Sequence, residues 1–173
     1  PKDLAPSLGT SDPAPILLRA LDGVKYRSVL EVGCNRGDNL LALNRKKKVG
    51  IEPNTYSRQI ARDRGLDVFD AEAHDLPFFD DTFDLVLVVG VLIHIDPEHI
   101  RGSMEECARV SRRYILSAEY HAAAEKKVEW RGEHLWKRNY TQEWEKHGAT
   151  VKRRFFCGLA PFENTVFLLL EKQ

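Results

Sequence analysis

The chain carries the stretch VLEVGCNRG at residues 29–37. Residues 28–32 form an apolar, partly β-branched run that is typical of a buried parallel strand, and this run ends at Gly33. Gly33 and Gly37 fall at the turn from the strand to a helix, where glycine lets the backbone approach a ligand and leaves amide groups exposed. The stretch favours a nucleotide-type cofactor, although many α/β turns need glycine for geometry alone.

An acid follows the second predicted strand, residues 49–51. This acid, Glu52, lies about 20 residues after Gly33, the spacing at which a carboxylate in such folds reaches the ribose hydroxyls of a nucleotide. A dinucleotide and an adenosyl cofactor both fit this spacing.

Strands and helices alternate along most of the chain. Such alternation requires right-handed crossovers and predicts an α/β fold with a doubly wound sheet. After the first strand, the patterns predict helices over residues 38–43, 55–64 and 97–110, and strands over residues 49–51, 67–69, 83–89 and 114–118. Two further strands, 149–157 and 164–170, are separated by a short Gly-Leu-Ala-Pro region and predict an antiparallel C-terminal hairpin. The expected sheet is therefore mixed, seven-stranded and Rossmann-like.

The 173 residues fit one domain, which we expect to span residues 1–173. Residues 1–15 contain four prolines and predict an extended arm, followed by a short helix over residues 16–21. Lysine plus arginine (26) equals aspartate plus glutamate (26), so no global field favours a nucleic acid or an anionic membrane as a partner. The longest apolar stretches fall short of the roughly 20 residues that cross a bilayer, and we expect a cytoplasmic protein.

The three cysteines are odd in number and widely spaced: Cys34, Cys107 and Cys157. This pattern indicates neither a disulfide framework nor a zinc site, and it favours reduced, mostly buried thiols.

Four motifs together resemble the class I S-adenosylmethionine-dependent methyltransferases. The first motif of that family, E/D-x-G-x-G-x-G, is similar to EVGCNRG at residues 31–37, with Asn35 in place of the middle glycine. Glu31, two residues before the first glycine, is not usual in dinucleotide dehydrogenases. The other three motifs of the family are similar to AEAHDLPF at 71–78, DTFDLV at 81–86 and VLIHI at 91–95.

This resemblance covers residues 28–118 and implies S-adenosylmethionine as the cofactor, with S-adenosylhomocysteine as the product. It implies that Gly33 and Gly37 contact the methionine part, that Glu52 binds the ribose, and that Glu72 with Ala73 lines the adenine edge. Asp70 is the alternative to Glu72. The implied cofactor-binding set is Glu31, Gly33, Asn35, Gly37, Glu52, Pro53, Glu72, Ala73 and Gly90.

A narrower resemblance is to the methylases associated with pseudaminic acid biosynthesis. It rests on GCNRG at 33–37, GVLIHI at 90–95, YILSAEY at 114–120 and RGEHLWKR at 131–138. This resemblance implies a role in carbohydrate biosynthesis.

Two histidines are candidate general bases. His94 lies just past the strand predicted at 83–89, where α/β enzymes carry out their chemistry, and it either accepts a proton or simply caps the turn. His121 is the alternative, because the cluster Glu119-Tyr120-His121 follows an apolar strand and is costly to bury without a use.

Residues 119–147 are expected to form an insertion that binds the acceptor. Basic and aromatic side chains interleave there, and an arginine with a stacking tryptophan suits a carboxylate- or phosphate-bearing sugar. The alternative is an ordinary solvated face. The predicted acceptor-binding set is Glu119, Tyr120, Arg131, His134, Trp136, Lys137 and Arg138.

The expected reaction is O-methylation of a small, anionic sugar or sugar nucleotide. No acid stands at position 90 or 91 to hold a magnesium ion, and we expect no metal in the mechanism. N-methylation of an amino sugar or another small metabolite is the alternative reaction. A non-catalytic module that binds S-adenosylmethionine is a second alternative, and an NAD-dependent oxidoreductase is poorly supported.

Overall fold

A seven-stranded sheet forms the centre of the computed structural model, which describes residues 14–45, 47–130, 133–158 and 164–172, without the side chains of residues 130, 133 and 134. The helices are α1 (Ala14–Ala20), α2 (Asp38–Ala42), α3 (Thr55–Asp63), α4 (Pro97–Val110) and α5 (Tyr140–Lys146). The strands are β1 (Ser28–Val32), β2 (Lys47–Ile51), β3 (Asp67–Phe69), β4 (Phe83–Val89), β5 (Ser111–Tyr120), β6 (Lys126–Trp130), β7 (Glu133–Lys137), β8 (Ala149–Cys157) and β9 (Thr165–Lys172).

The strand order is β3-β2-β1-β4-β5-β9-β8. The first five strands in this order are parallel to one another, and β9 runs antiparallel between β5 and β8. The predicted doubly wound, mixed, seven-stranded sheet is therefore confirmed. The chain order reverses between β1 and β4, and ligands of such sheets bind in the crevice outside the carboxyl ends of the strands at this point.

Both central strands are buried, as their apolar sequences require. All five residues of β1 are buried, and one apolar cluster covers each face of the sheet. This two-sided burial explains why β1 and β4 are continuous apolar runs and do not alternate apolar and polar residues. Cys34, Cys107 and Cys157 are buried, as predicted, and form no disulfide with one another.

The structure differs from the predicted elements at both ends of the insertion and at the arm. Helix α1 begins at Ala14 and so includes the last two residues of the expected arm, because Pro15 is compatible with the first turn of a helix. Residues 1–13 lie outside the described residues. Strand β5 continues to Tyr120, because Tyr120 is still paired with Thr165 of β9. Glu119 and Tyr120 are therefore strand residues and do not follow the strand.

Three elements inside the insertion were not predicted. Strands β6 and β7 form a separate antiparallel hairpin in which Val128 is paired with Leu135. Helix α5 follows, with Tyr140 and Trp144 fully buried. Part of the aromatic content that suggested an acceptor site is thus core packing. No helix in the described part of the chain is long and apolar enough to span a membrane.

Candidate active site

A cavity of about 620 Å³ opens at the carboxyl ends of β1, β2 and β4, where the strand order reverses. It brings together most of the predicted cofactor-binding residues with the candidate base His94. The lining residues are Val32, Gly33, Asn35, Ile51, Glu52, Pro53, Asn54, Ser57, Ala71, Glu72, Ala73, Gly90, Val91, His94 and Ile95. A wider depression of about 830 Å³ lies at the opposite edge, where the strands begin, and includes none of the predicted site residues.

The turn after β1 has the left-handed backbone that its glycines suggested. Gly33 has φ +69°, and a Cβ atom there would collide with the side chain of Val91, which also lines the cavity. Asn35 has φ +49°, so the departure from the glycine motif is accommodated in the left-handed region that asparagine tolerates. Gly37 has φ +82° and does not line the cavity, and its close approach to Leu66 gives it a packing role at the start of α2.

Glu52 organises two turns of the cavity wall from the end of β2. Its side chain is buried, and one oxygen accepts a hydrogen bond from the Asn35 N–H and the other from the Asn54 N–H, each at 2.8 Å. Backbone groups from the β1 and β2 turns thus meet on one carboxylate. The remaining acceptor positions of this carboxylate are suited to a ribose diol.

Arg58 is a buried residue of the site region that the sequence did not predict. Its guanidinium donates to the carbonyl oxygens of Glu52 at 2.7 Å and Pro53 at 2.9 Å, and it pairs with Asp70 at 2.8 Å. Asp70 is engaged in this way and does not line the cavity, whereas Glu72 does. The signal available in the sequence was the position of Arg58 one turn into the helix that follows Glu52.

Glu31 is buried beneath the cavity floor and does not line it. One oxygen accepts a hydrogen bond from the Asn39 side chain at 2.6 Å, and the other has no hydrogen-bond partner among the described residues. Burial raises the pKa of this carboxyl to about 8. A buried acceptor without a donor is costly, and a cationic ligand group would offset that cost.

A short 3-10 turn over Leu92–His94 follows β4 and forms the opposite wall. The Glu119 carboxylate accepts hydrogen bonds from the N–H groups of Val91, Leu92 and Ile93, at 3.0, 3.0 and 3.3 Å. Burial raises the pKa of Glu119, and these three N–H donors, together with the charge of Arg138, oppose that effect by stabilising the charged form. Arg138 donates to the carbonyl oxygens of Leu92 and Ile95, at 2.9 and 2.7 Å.

The two candidate bases lie in different places. His94 lines the cavity with an exposed side chain. His121 does not line it, and its ring packs against Phe156 with the centroids 5.4 Å apart. Burial, and then the charge of Arg154, lower the pKa of His121. Of the two, only His94 has the location that transfer chemistry in this cavity requires.

The predicted acceptor-binding residues do not form one surface. Glu119 and Arg138 were predicted to contact an acceptor. In the structure they are buried, with 1% and 2% of their surface exposed, and their polar groups bind the turn after β4. Trp136 donates its indole N–H to Asp96 at 2.8 Å. The Lys137 ammonium lies 5.3 Å from the centre of the Tyr120 ring. The Arg131 residue and the side chain of His134 lie outside what the structure describes.

Residues 29–113 match the family model described as a methyltransferase domain. Over these residues, which are just under half of the chain, the protein is similar to a methyltransferase domain. Among relatives of this chain, the methyltransferase GfsG of Streptomyces halstedii is 36% identical over 108 residues, which are 56% of this chain and 38% of that protein. The chain spans less than half the length of the curated relatives that it matches.

Solved structures share the fold of this chain. The 1,6-didemethyltoxoflavin N1-methyltransferase of Burkholderia thailandensis, which contains bound S-adenosylhomocysteine, matches 94% of this chain and 78% of its own with a TM-score of 0.75 and 14% identity. The magnesium protoporphyrin IX methyltransferase of Synechocystis, with bound S-adenosylmethionine, matches 95% of this chain and 80% of its own with a TM-score of 0.72 and 13% identity.

The residues present fit S-adenosylmethionine, the cofactor that the sequence motifs imply. Glu52 lines the cavity and suits the ribose. Gly90 has φ +66°, and a Cβ atom there would meet nothing within 4 Å, so the backbone leaves free space at the cavity wall. Glu72 and Ala73 lie at the part of the wall that follows β3.

Proposed function

We propose that the chain transfers the methyl group of S-adenosylmethionine to a hydroxyl group of a small-molecule acceptor. The observation that carries this proposal is the single cavity at the reversal of the strand order, which contains the Gly33 turn, Glu52, Glu72 and His94. A nucleoside part and a reacting acceptor need one continuous space with a proton acceptor beside it, and this cavity supplies both.

Each end of the cavity would hold a different part of the cofactor. The turn at Gly33 and Asn35 would hold the methionine end, and Glu31 would support that turn from beneath through its bond to Asn39. Glu52 would accept hydrogen bonds from both ribose hydroxyls, and Glu72 with Ala73 would border the adenine. The bound cofactor supplies an already activated methyl group on its sulfonium. The remaining work of the protein is alignment of the acceptor and exclusion of water.

His94 would accept the proton that the acceptor hydroxyl loses as it becomes methylated. A hydroxyl group is a weak nucleophile at neutral pH, and a positioned base typically contributes about a hundredfold or more to the rate. The exposed imidazole at the cavity wall is suited to this task, because it can pass the proton on to solvent.

The proposed acceptor is an anionic sugar or sugar nucleotide. Besides the narrower sequence resemblance, the β6–β7 hairpin supports an anion: Lys126 is paired directly with Lys137 across the two strands. Like charges directly opposite each other destabilise a strand pair. An anionic acceptor group at the hairpin would relieve this repulsion.

N-methylation of an amine is the second candidate, and a different observation favours it. Among the described residues that line the cavity there is no lysine or arginine, whereas Glu52 and Glu72 are both present. This balance suits a neutral or cationic acceptor. An amine that is already unprotonated would not need His94.

A coupled assay of S-adenosylhomocysteine release separates the candidates. The acceptors are nonulosonic acids, their nucleotide-activated forms, neutral hexoses and amino sugars, each tested with the wild type and with His94→Asn and His121→Asn. We expect turnover of the anionic hydroxyl acceptors. The value of kcat should fall about a hundredfold in His94→Asn, with loss of the decline in rate at low pH, and should change little in His121→Asn.

Turnover of amino sugars alone, undiminished in His94→Asn, would replace the first candidate by the second. Binding of S-adenosylhomocysteine without any turnover across the panel would instead favour a non-catalytic module.

A further inference from the structure

The turn after β4 is held at both of its ends by buried side chains of opposite charge. Glu119, from β5, accepts hydrogen bonds from the N–H groups at the start of the turn, and Arg138, just after β7, donates to the carbonyl oxygens of Leu92, within the turn, and of Ile95, directly after it. A helical turn carries partial positive charge at its first N–H groups and partial negative charge at its last carbonyls. Each side chain therefore has the sign that stabilises its end of the turn.

The same arginine also joins the two strands at the open end of the β6–β7 hairpin, opposite its turn. Its Nε donates to the Glu125 carboxylate at 2.6 Å, and Glu125 immediately precedes β6 while Arg138 immediately follows β7. The two ends of the hairpin are thus joined by one ion pair. A second bond, from the Trp136 indole N–H to Asp96, connects the hairpin to the N-cap residue that directly precedes α4.

We propose that Glu119 and Arg138 are positioning residues that set the shape of the cofactor cavity, and that the Glu125–Arg138 pair makes the hairpin part of the same unit. The turn they hold contributes Val91, His94 and Ile95 to the cavity wall. Neither Glu119 nor Arg138 lines the cavity, so each acts through the turn.

Stability alone gives little reason for this arrangement. Burying two charged groups costs several kcal/mol in desolvation, and apolar replacements of similar volume in other proteins are often neutral or stabilising. The hydrogen bonds fix five backbone groups of one short turn in a single geometry. A fixed wall lowers the ordering cost of ligand binding, and this pre-organisation is the advantage that the buried pair provides.

Arg109 offers a matched control on the same molecule. It too donates to two backbone carbonyl oxygens, of Leu76 and Phe78, and it pairs with Glu106 and Asp80. The loop that it holds does not line the cavity. A conservative change at Arg109 should therefore reduce stability without changing the cavity.

The test compares Arg138→Lys, Arg138→Met and Glu125→Gln with Arg109→Lys. Calorimetry measures the Kd for S-adenosylhomocysteine, hydrogen exchange measures the amides of residues 91–93 in the ligand-free protein, and thermal melting measures stability. We expect Arg138→Lys to raise Kd about fivefold and Arg138→Met to raise it further, since hydrogen bonds from a charged donor are strong and lysine keeps only part of them. Glu125→Gln should give a smaller rise of about twofold.

Exchange of the 91–93 amides should accelerate in the Arg138 variants. Arg109→Lys should lower the melting temperature by about as much as Arg138→Lys does, with its Kd unchanged. Equal changes in Kd for Arg138→Lys and Arg109→Lys at equal loss of stability would overturn the proposal, as would normal exchange of the 91–93 amides in Arg138→Met. The choice of ligand rests on the proposed function. If the wild type fails to bind S-adenosylhomocysteine, the proposed function is wrong, whereas amide exchange still decides whether Arg138 holds the turn.

Discussion

Glu52→Gln is the substitution whose effect the structure defines best. The carboxylate accepts one backbone N–H on each oxygen, from Asn35 and Asn54, both at 2.8 Å. Glutamine keeps one acceptor oxygen but turns an NH₂ group toward the other N–H donor, so one of these bonds is lost and two donors face each other. It also removes the charge from the hydrogen bonds that a ribose diol would make.

The two effects have different magnitudes. Losing charge from the ribose contacts removes roughly 1.5 to 3 kcal/mol of binding free energy, which corresponds to a rise in Kd of about 10- to 150-fold. The lost backbone bond destabilises the fold by roughly 1 to 3 kcal/mol, or about 2 to 12 °C in melting temperature for a chain of this length. Solvent does not screen these contacts strongly, because Glu52 is 8% exposed.

Calorimetric titration with S-adenosylhomocysteine, together with melting curves, separates affinity from stability. Glu106→Gln is the matched control, since Glu106 also accepts a backbone N–H, that of Leu76 at 2.8 Å, and lies outside the cavity lining. The control should melt at a lower temperature and bind normally. A folded Glu52→Gln variant with the Kd of the wild type would refute the ribose assignment.

Two further predictions concern the carboxylates around the cavity. In calorimetry, Glu72→Ala should weaken binding of S-adenosylhomocysteine about fivefold, and Asp70→Ala should leave Kd within about twofold of the wild type. The reason is that, of these two carboxylates, only Glu72 lines the cavity. The reverse order of effects would assign the adenine edge to Asp70. Burial raises the pKa of Glu31 from 4.5 to about 8, so the ligand-free fold holds a proton there that the unfolded chain releases, and stability should fall as pH rises between these two values. Glu31→Gln cannot titrate and should flatten part of this slope in melting curves from pH 5 to 9; an identical slope in both proteins would contradict the raised pKa.

The fold and the cofactor residues could be predicted from the sequence because their signals are local. An apolar strand, a glycine turn and an acid at the next strand end are each readable within a few residues, and the parallel sheet brings these strand ends together without further information. Gly33, Asn35 and Glu52 accordingly lie on one cavity wall.

The Arg138 interactions could not be read in this way, because the partners of its guanidinium are distant in sequence. The Leu92 carbonyl to which it donates lies 46 residues earlier in the chain. A basic residue in a loop is usually solvated, and in the sequence Arg138 cannot be distinguished from Lys137, which does remain partly exposed. Only the tertiary position of the β6–β7 hairpin decides that one cation is internal and the next is available.

The difference between the buried Arg138 and the partly exposed Lys137 also constrains how an anionic acceptor would be oriented. The cofactor cavity contains the carboxyl groups of Glu52 and Glu72, and burial of a further negative group beside them would cost free energy through repulsion at low local dielectric. The lysines on the hairpin, Lys126 and Lys137, do not line this cavity, and β7 packs against the turn that Arg138 holds. An anionic acceptor would therefore enter with its charged group toward the hairpin and its hydroxyl toward His94. The shape of the turn between them would then set which hydroxyl reaches the methyl group. Through its hydrogen bonds to that turn, Arg138 would influence regiospecificity as well as cofactor affinity.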